Sequence, residues 1–527
     1  MLENNLEHAI KPDELIVYCD GKAARNWDSY NRIVETLKEL RNDETLVVQS
    51  GKPVAVFRTH SLSPRVVMAN GNFNSRWLAQ ENGKLVEKAY SYDTFKEFAS
   101  RGLTMNPSYT AGCWAYIGTQ GVSQGTYQTL AAVADQHFGG TLKGRFILTS
   151  GLGHMSGAQP LAIKMNEGVG LIVEANWKIL KRRHKGGWID RIVDNLEEAL
   201  KIVNEALEGK KAISVGVLGN TAEIYPELVR RKITPNVVTD MTYAHSPLGY
   251  IPAGLSIEDA DELRERNPEE YIKRSAQSAA NQVRAMVQFK ERGAVVFEYG
   301  NYLRHLAYQG GFKDIFKFKN FVSELIRKLF CEGRGSFRWV ALSGNNADIL
   351  EIDRMLLREF PEDKIMVKWI KNASNIPVEG LPARTSWLGY GQRARFGKIV
   401  NEMVEGGKLK APIGISRDNM DTGSISNPAI ETENMKDGSD PIADWPLLNA
   451  LLNTAAGADL VAIHMYGDYP FVSTGMTIIA DGEKETNQRL ERVLTVDPGI
   501  GVVRHAEAGY DEAKRVARES SIKWLAE

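Results

Sequence analysis

Between about residues 125 and 335, short apolar runs alternate with segments whose apolar residues recur every three or four positions. The runs have the length and composition of buried strands. They are RFILTS (145–150), VGLIVEA (169–175), AISVGVL (212–218), NVVTD (236–240) and AVVFEYG (294–300). The segment 188–209 is periodic throughout, which predicts one helix that stops at Gly209. Such alternation predicts an α/β domain with a parallel sheet covered by helices on both faces.

Both ends of the chain have a less regular pattern. Strands, turns and helices are predicted for LIVYCDG (15–21), 27–42, 44–60, FRWVALSG (337–344), 445–457, 458–464 and 476–482. We therefore expect three segments, with boundaries near 124/125 and 335/336. These segments are 1–124, 125–335 and 336–527.

The composition excludes several classes of function. The 527 residues carry a net charge of −1, so neither nucleic acid nor an anionic membrane is an expected partner. No apolar run approaches the ~20 residues needed to span a bilayer. The three cysteines, Cys19, Cys113 and Cys331, are far apart and odd in number, which fits a reducing cytosol. The acidic, polar N-terminus is not a signal peptide, so we expect a cytoplasmic protein.

A glycine-rich loop follows the first strand of the middle segment. It reads LTSGLGHMSGAQP (148–160) and leads into a predicted helix, where backbone N–H groups can face a pyrophosphate. Glu174, 21 residues after Gly153, ends the next strand, where a carboxylate accepts from ribose hydroxyls and repels the extra phosphate of NADP. NAD is therefore the expected cofactor. The alternative is that the loop is only a tight turn between a strand and a helix and binds no ligand. The basic run at 180–185 could favour NADP, but we interpret it as solvent-exposed charge at the start of its helix.

Two aspartates, an arginine and a serine are candidates for chemistry in the last segment. Asp418 and Asp421 stand at a strand end, where a carboxylate can act as a base or cap a turn. Arg338 can hold a substrate carboxylate or form a structural ion pair. Ser386 has no adjacent base in the sequence. His154, His245 and His464 have no metal-ligand spacing, and CxxC and HExxH are absent, so we expect no metal site.

Several long motifs together resemble the urocanase (urocanate hydratase) family. They are YTAGCWAYIGTQGVSQGTY (109–127), KGRFILTSGLGHMSGAQPLA (143–162), LGNTAEIYPELVRR (218–231), LFCEGRGSFRWVALSG (329–344), LPARTSWLGYGQRARFG (381–397), SRDNMDTGSIS (416–426), ETENMKDGSD (431–440), DWPLLNALLNTAAGADLVAIH (444–464) and RHAEAGY (504–510). The resemblance covers nearly the whole chain in order. It implies a homodimer with a Rossmann-like NAD domain inserted between N- and C-terminal segments that form a mixed α/β core.

The resemblance also implies how the cofactor is used and which residues hold it. In this family NAD is an electrophile in a redox-neutral hydration, and it returns unchanged as the imidazole acrylate becomes an imidazolone propionate. Asp421 matches the family's acid–base aspartate, with Asp418 as the nearby alternative, and Arg338 matches the arginine expected to hold the substrate carboxylate. The implied NAD contacts are Gly153, His154, Met155, Ser156, Glu174, Asn220, Thr221, Thr242, His245, Tyr250, Ile251 and Tyr299.

The chain departs from the family pattern at the expected substrate site. Ser386 replaces the family's active-site cysteine, and HMYGDYPFV (464–472) replaces a longer glycine-rich loop. Tyr466, Asp468 and Tyr469 of that loop are the expected pocket residues. We therefore expect a hydratase for a ring-substituted urocanate, such as thiourocanate or its S-methyl form from ergothioneine breakdown, or an Nτ-methylated urocanate. The alternatives are ordinary urocanate hydratase, a conventional NAD dehydrogenase, and a silent NAD-binding protein.

Overall fold

A computed structural model describes residues 1–81, 84–153, 155–246, 248–376, 380–465 and 471–525. The chain divides into two compact units. The first unit combines Met1–Gly121 with Lys328–Glu527, and the second is Val122–Arg327. The second unit ends at Arg327, and Gly335 begins a strand of the first unit.

The N-terminal part of the first unit contains short strands and three helices. Their bounds are α1 Leu2–Glu7, β1 Ile16–Tyr18, β2 Gly21–Lys22, α2 Trp27–Glu39, β3 Glu44–Gln49, β4 Lys52–Arg58, β5 Val66–Asn70, β6 Arg76–Glu81, β7 Lys84–Ala89 and α3 Tyr92–Ser100. Helix α2 begins where the side chain of Asn26 accepts a hydrogen bond from the Ser29 N–H at 2.9 Å. The strands and the helix predicted for 15–60 are thereby confirmed.

The middle of the chain alternates strand and helix as predicted. Its elements are α4 Thr119–Phe138, β8 Phe146–Ser150, α5 Gln159–Met165, β9 Val169–Glu174, α6 Trp177–Lys185, β10 Arg191–Val193, α7 Leu196–Glu208, β11 Ile213–Leu218, α8 Thr221–Arg230, β12 Val237–Val238, α9 Ile257–Arg266, α10 Pro268–Glu291, β13 Val295–Val296 and α11 Leu303–Gln309. The strands form one parallel sheet in the order β10-β11-β9-β8-β12-β13.

The single helix predicted for 188–209 is wrong in its first part. Arg191–Val193 is a strand that pairs with β11, and the helix begins only at Leu196. Asn195 stops any continuation toward the N-terminus, because its side chain accepts from the Glu198 N–H at 2.9 Å. A short strand followed by a capped helix leaves the same apolar spacing as one longer helix, so periodicity alone did not separate them.

The C-terminal part returns to the first unit. Its elements are α12 Arg327–Cys331, β14 Gly335–Ala341, α13 Asn346–Glu359, α14 Lys364–Ala373, β15 Ala383–Leu388, α15 Gln392–Glu405, β16 Ile413–Arg417, β17 Ile425–Ser426, α16 Asp444–Ala456, β18 Leu460–Met465, β19 Val472–Ala480, α17 Lys484–Glu507 and α18 Asp511–Glu519. The strands predicted at 337–344, 458–464 and 476–482 and the helix at 445–457 are all present in this part.

Strands from both ends of the chain share one mixed sheet. Its order is β15-β14-β16-β19-β18-β5-β3-β4, with β17 paired to β19. The pairs β18–β5 and β5–β3 are parallel, whereas β3–β4 and the pairs among β14 to β19 are antiparallel. The expected fold class, a parallel-sheet domain inserted into a mixed α/β core, is confirmed.

The register of this mixed sheet assigns side chains to its two faces. Arg338 pairs with Ser416, and Ser416 pairs with Thr477, so these residues share a face with Gly475, two residues before Thr477. We call this the front face. Phe337 is offset by one residue from Arg338 and therefore lies on the opposite face, which we call the rear face. None of the helices in the ranges given above is long and apolar enough to cross a membrane.

Candidate active site

The order of the parallel sheet reverses beside β8, and the glycine loop begins at the carboxyl end of that strand. β8 pairs with β9 on one side and with β12 on the other. In open parallel sheets, ligands bind outside the carboxyl ends of the strands at such a reversal. The edge formed by the carboxyl ends of these strands therefore carries the loop after β8, Glu174 at the end of β9 and Thr242 after β12.

The glycine loop approaches the loop after β12 very closely. Gly151 has φ +83°, and a Cβ there would lie 2.7 Å from the carbonyl oxygen of Met241. A side chain at this position would therefore separate the two loops. Ser156 is buried at the next turn and Met155 is exposed, whereas His154 lies outside the described residues.

Glu174 is positioned as expected, and it also stabilises the glycine loop. Its two carboxylate oxygens accept hydrogen bonds from the Leu152 N–H at 2.8 Å and the Asn176 N–H at 2.9 Å. Burial raises the pKa of this carboxyl, while these N–H groups act in the opposite direction. Each oxygen keeps a second lone pair, so the carboxylate can still accept from a ribose hydroxyl.

Arg183, in the basic run at 180–185, stabilises the glycine loop through two hydrogen bonds. Its Nε donates to the carbonyl oxygen of Leu152 at 3.0 Å, and its Nη2 donates to that of Gly153. The guanidinium also lies where a side chain at Gly157 would have to go. The run was interpreted as solvated, but Arg183 is a part of the loop's scaffold. No local sequence signal distinguishes Arg183 from its basic neighbours.

Asn220 and Thr221 fix the segment that contains Tyr250 and Ile251. Asn220 caps α8 through the Ala222 N–H at 2.9 Å and donates from Nδ2 to the carbonyl oxygen of Ile251 at 2.9 Å. The Thr221 hydroxyl lies 3.4 Å from the Tyr250 hydroxyl, which donates to Gln282 at 2.7 Å. The four expected cofactor contacts are thus brought together by their own hydrogen bonds.

Asp240, which sequence reasoning missed, is a buried carboxylate at the end of β12. It accepts hydrogen bonds from the side chains of Ser150, Thr242, Gln282 and Asn301. Burial raises its pKa, and these four donors act in the opposite direction. The same network leaves the Asn301 Oδ1, a buried acceptor, without a partner in the part of the chain that the structure describes.

His245 and Tyr299 lie in the same unit. Burial lowers the pKa of His245 to about 4, so its imidazole is neutral at physiological pH, and its ring centroid lies 5.2 Å from that of Tyr302. Burial raises the pKa of Tyr299, whose hydroxyl lies 3.3 Å from those of Thr126 and Thr129. The edge therefore offers backbone N–H groups, acceptors at Glu174 and Asn301, and uncharged rings, a set that fits a dinucleotide.

The front face of the mixed sheet carries an accessible ion pair. Arg338 binds Asp418 through Nη2, and its Nη1 donates to the carbonyl oxygen of Ala115 at 3.3 Å. The Asp418 side chain is 21% exposed, so water and small molecules can reach its carboxylate. The Arg338 Nε has no partner among the residues described. This pair joins one expected substrate-binding residue with one expected acid–base candidate.

The rear face carries a second, closed ion pair. Asp421 accepts from both terminal nitrogens of Arg393, at 2.6 and 3.0 Å, and its side chain is 1% exposed. Arg393 also reaches Asp497 at 3.3 Å, and Asp497 binds Arg417 at 3.1 Å. A carboxylate with both oxygens paired to a buried arginine has no free lone pair directed at a substrate.

The structure does not bring the four expected catalytic residues together. Ser386 pairs with Phe337 across β14 and β15, so it lies on the rear face. Its hydroxyl is fully buried and has no partner among the described residues. Asp418 and Arg338 share the front face, whereas Asp421 and Ser386 do not. In this geometry the mixed sheet lies between the Arg338–Asp418 pair and the other two expected catalytic residues.

Sequence reasoning missed the segment that covers the front face. The Tyr18 hydroxyl donates to the carbonyl oxygen of Ser108 and lies 3.3 Å from the Thr110 hydroxyl. Cys113 lies 3.6 Å from the Oδ1 of Asn419, and burial raises the pKa of its thiol to about 12. The motif YTAGCWAYIG was recognised for its family likeness, but its position over the sheet comes only from the tertiary structure.

The rebuilt loop after β18 is described only in part. Tyr466, Asp468 and Tyr469 lie outside the described residues. Phe471, the next described residue, stacks on Tyr109 with ring centroids 5.6 Å apart. Over the described ranges, no group of three or more His, Cys, Asp or Glu side chains could hold a metal ion.

A parallel sheet with a glycine loop and an acidic strand end at its reversal defines the Rossmann-like class of α/β enzymes. Three domain models match the chain in sequence order. They are the urocanase N-terminal domain over residues 1–115, the urocanase Rossmann-like domain over 118–325 and the urocanase C-terminal domain over 328–519. The chain belongs to the urocanase family, and it is a hydro-lyase of the urocanate hydratase type. The resemblance stated from the motifs is thereby confirmed.

Proposed function

We propose that this chain is an NAD-dependent, redox-neutral hydratase of an imidazole acrylate, and that its preferred substrate is a ring-substituted urocanate. The proposal depends above all on one observation: the accessible Arg338–Asp418 pair on the front face. It places a carboxylate-binding cation beside a carboxylate that can exchange protons. The edge of the parallel sheet, whose groups fit a dinucleotide, supports the choice of NAD as the cofactor.

The parallel-sheet unit binds NAD in this proposal. The glycine loop at Gly153, Met155 and Ser156 would hold the pyrophosphate through backbone N–H groups, and Glu174 would accept from the ribose. Asn220, Thr221, Thr242, His245, Tyr250, Ile251 and Tyr299 complete the set of contacts. Oxidised nicotinamide is an electron sink, which is chemistry that no side chain supplies.

Arg338 and Asp418 act in sequence on the substrate. A substrate carboxylate that binds the Arg338 guanidinium competes with Asp418 for the same N–H donors. The released Asp418 carboxylate, held by its backbone bond to the Ser336 carbonyl, can then take a proton from water or return one to the substrate. Asp418 is therefore our proposed acid–base residue, and Asp421 is assigned to the scaffold.

The preference for a substituted ring rests on the loop after β18. The family has mostly glycines at the positions of Tyr466, Asp468, Tyr469 and Phe471. Phe471 stacks on Tyr109, which belongs to the segment that covers the front face. Ser386 contributes less to this preference, since it lies on the rear face. One ring substituent in a fitted pocket changes kcat/KM by roughly 10- to 200-fold.

A side-by-side assay tests this preference. Urocanate, thiourocanate, S-methyl-thiourocanate and Nτ-methyl-urocanate are compared through the loss of their conjugated chromophores. We expect one substituted compound to exceed urocanate at least tenfold in kcat/KM. If urocanate is preferred more than tenfold, the enzyme is an ordinary urocanate hydratase.

The cofactor role is tested separately. Purified protein should contain NAD, and turnover should leave it oxidised, with no lasting absorbance at 340 nm. Steady accumulation of NADH with substrate would identify a dehydrogenase instead. Protein that never binds NAD would contradict the cofactor assignment.

A homodimer in the cytosol is the proposed state of the enzyme. Helix α16 exposes the apolar residues Leu447, Leu448, Leu451 and Leu452, and a second copy would cover them. None of the three cysteines forms a disulfide in the part of the chain that the structure describes, in keeping with a reducing compartment. Sedimentation of wild type and Leu451→Glu tests the dimer, and we expect the variant to be a monomer.

A further inference from the structure

His464 is a buried histidine on β18 that the proposed chemistry does not use. It pairs with Ser473 on β19 and with Asn70 on β5, and only 1% of its surface is exposed. Ala462, two residues earlier, pairs with Gly475 of the front face. His464 therefore projects from the front face, the same face as Arg338.

The hydrogen bonds of Asn70 define which nitrogen of His464 carries the proton. The Asn70 Oδ1 accepts from the Gly51 N–H at 3.0 Å, so its amide nitrogen must be the atom that faces the imidazole. That nitrogen lies 3.2 Å from the His464 Nδ1. Because an amide nitrogen only donates, Nδ1 accepts, and the hydrogen of the neutral ring resides on Nε2.

The Nε2–H of His464 is a donor that has no acceptor among the described residues. This atom is buried and has no hydrogen-bond partner in the described part of the chain. Burial and the positive charge of Arg417 lower the pKa of the ring to about 3, so the ring stays neutral under physiological conditions. Leaving a buried donor unpaired destabilises the protein, which favours a bound acceptor at this position.

Two further buried donors near the front face lack partners among the described residues. A Cβ at Gly475 would lie 2.7 Å from the Cys113 sulfur, which in turn contacts Asn419. The Asn419 Nδ2 and the Arg338 Nε are buried and also lack partners among the described residues. Within the described ranges, the front face therefore presents N–H donors without matching acceptors, as a site for an acceptor-rich ligand would.

We propose that the Nε2–H of His464 donates a hydrogen bond to the unprotonated ring nitrogen of the imidazole acrylate. This inference rests on the proposed function, and it adds a residue that recognises the ring rather than the carboxylate. His464 then selects substrates whose ring offers an acceptor. Asn70 is a positioning residue, because it holds the tautomer that donates.

The test separates ring recognition from carboxylate recognition. Binding of urocanate and of cinnamate, which keeps the acrylate but has no ring nitrogen, is measured by calorimetry on the protein as purified. We expect wild type to prefer urocanate and His464→Phe to weaken urocanate binding about 10- to 100-fold with little change for cinnamate. His464→Gln, which keeps an amide donor at similar reach, should recover most of the loss.

A matched control is available in His505. This histidine is equally buried but lies on α17, where its Nδ1 contacts the Gly501 carbonyl oxygen at 2.7 Å. His505→Phe should leave the ratio of urocanate to cinnamate affinity unchanged. If His464→Phe weakens both ligands equally, or leaves the ratio intact, His464 has only a packing role and the inference is wrong.

A spectroscopic measurement keeps the inference testable if His464→Phe does not fold. In wild-type protein labelled with ¹⁵N-histidine, the His464 signals should show a protonated Nε2 and an unprotonated Nδ1 at neutral pH. Urocanate should shift the Nε2 signal, and cinnamate should not. The opposite tautomer would overturn the inference, whereas failure of wild type to bind any imidazole acrylate would instead contradict the proposed function.

Discussion

The mixed sheet carries two arginine–aspartate pairs, one on each face, and their surroundings differ. Arg338–Asp418 on the front face has an aspartate that is 21% exposed and an arginine whose Nε has no partner in the described part of the chain. Arg393–Asp421 on the rear face is closed, with both carboxylate oxygens paired and almost no exposure. A pair can exchange a partner for a substrate only when it is reachable, so the front pair suits chemistry and the rear pair suits structure.

The largest expected effect separates the two aspartates by activity. Asp418→Asn keeps the shape of the side chain but cannot take a proton, so kcat should fall at least ~10²-fold while the protein stays folded. Steady-state kinetics with the preferred acrylate, together with thermal melting, measure this. Asp418→Asn activity within a few-fold of wild type would return the base role to Asp421 or to water.

The second-largest expected effect distinguishes Asp421 from Asp418 by the stability of their variants. Asp421→Asn removes one charge of a fully buried pair and leaves Arg393 undercompensated, which should lower the free energy of unfolding by about 3 kcal/mol. Urea denaturation measures the loss, with Asp418→Asn as the matched control. An Asp421→Asn protein that is as stable as wild type but inactive would reverse the assignment of the two faces.

The third effect tests what the front arginine binds. Arg338→Lys keeps the charge but loses the planar fork, so KM for an acrylate should rise roughly 10- to 100-fold with a smaller change in kcat. The amide of the same substrate, which has no carboxylate, serves as the control and should bind equally weakly to both proteins. A KM change of the same size for acid and amide would show that Arg338 does not bind the carboxylate.

The smallest expected effect is a difference between the two faces in how the free energy of unfolding depends on pH. His464 has a folded pKa of about 3, below its ordinary 6.5, so the folded state binds fewer protons and stability falls as pH drops below about 6.5. The slope reaches at most about 1.4 kcal/mol per pH unit. Burial raises the pKa of Asp497 on the rear face, but Arg417 and Arg393 lower it by more. The stability that Asp497 contributes is therefore lost only below about pH 4.

His464→Gln should therefore flatten the stability profile between pH 6.5 and 5, whereas Asp421→Asn should leave that slope unchanged. Denaturation curves at half-unit pH intervals measure it. An unchanged slope in His464→Gln would mean that the imidazole is protonated in the folded protein.

Much of the fold was predictable because its signals are local. The strands of the parallel sheet are short and mostly apolar runs, and the positive φ of Gly151 favours glycine at that position. Glu174 was found from its spacing alone, since parallel strands of similar length place their ends at one edge. The helix at 188–209 was predicted wrongly because β10 and α7 together mimic a single helical period.

The candidate site was less predictable because it depends on contacts between distant segments. Asp240 was not found, since its four donors come from residues between 150 and 301. Arg183 looked like any residue of a basic run until its bonds to the glycine loop were seen. His464 required Asn70, which is 394 residues away in the chain.

The sequence by itself determined the family, the order of domains, the glycine loop and its acidic partner, because long motifs and local spacing encode them. Only the tertiary structure decided which of Asp418 and Asp421 is reachable. The two are three residues apart, but Asp418 binds Arg338 on the front face and Asp421 binds Arg393 on the rear face. The physical reason is the position of the two arginines, because Arg338 projects from β14 on the front face, whereas Arg393 lies on α15 over the rear-face residue Phe337.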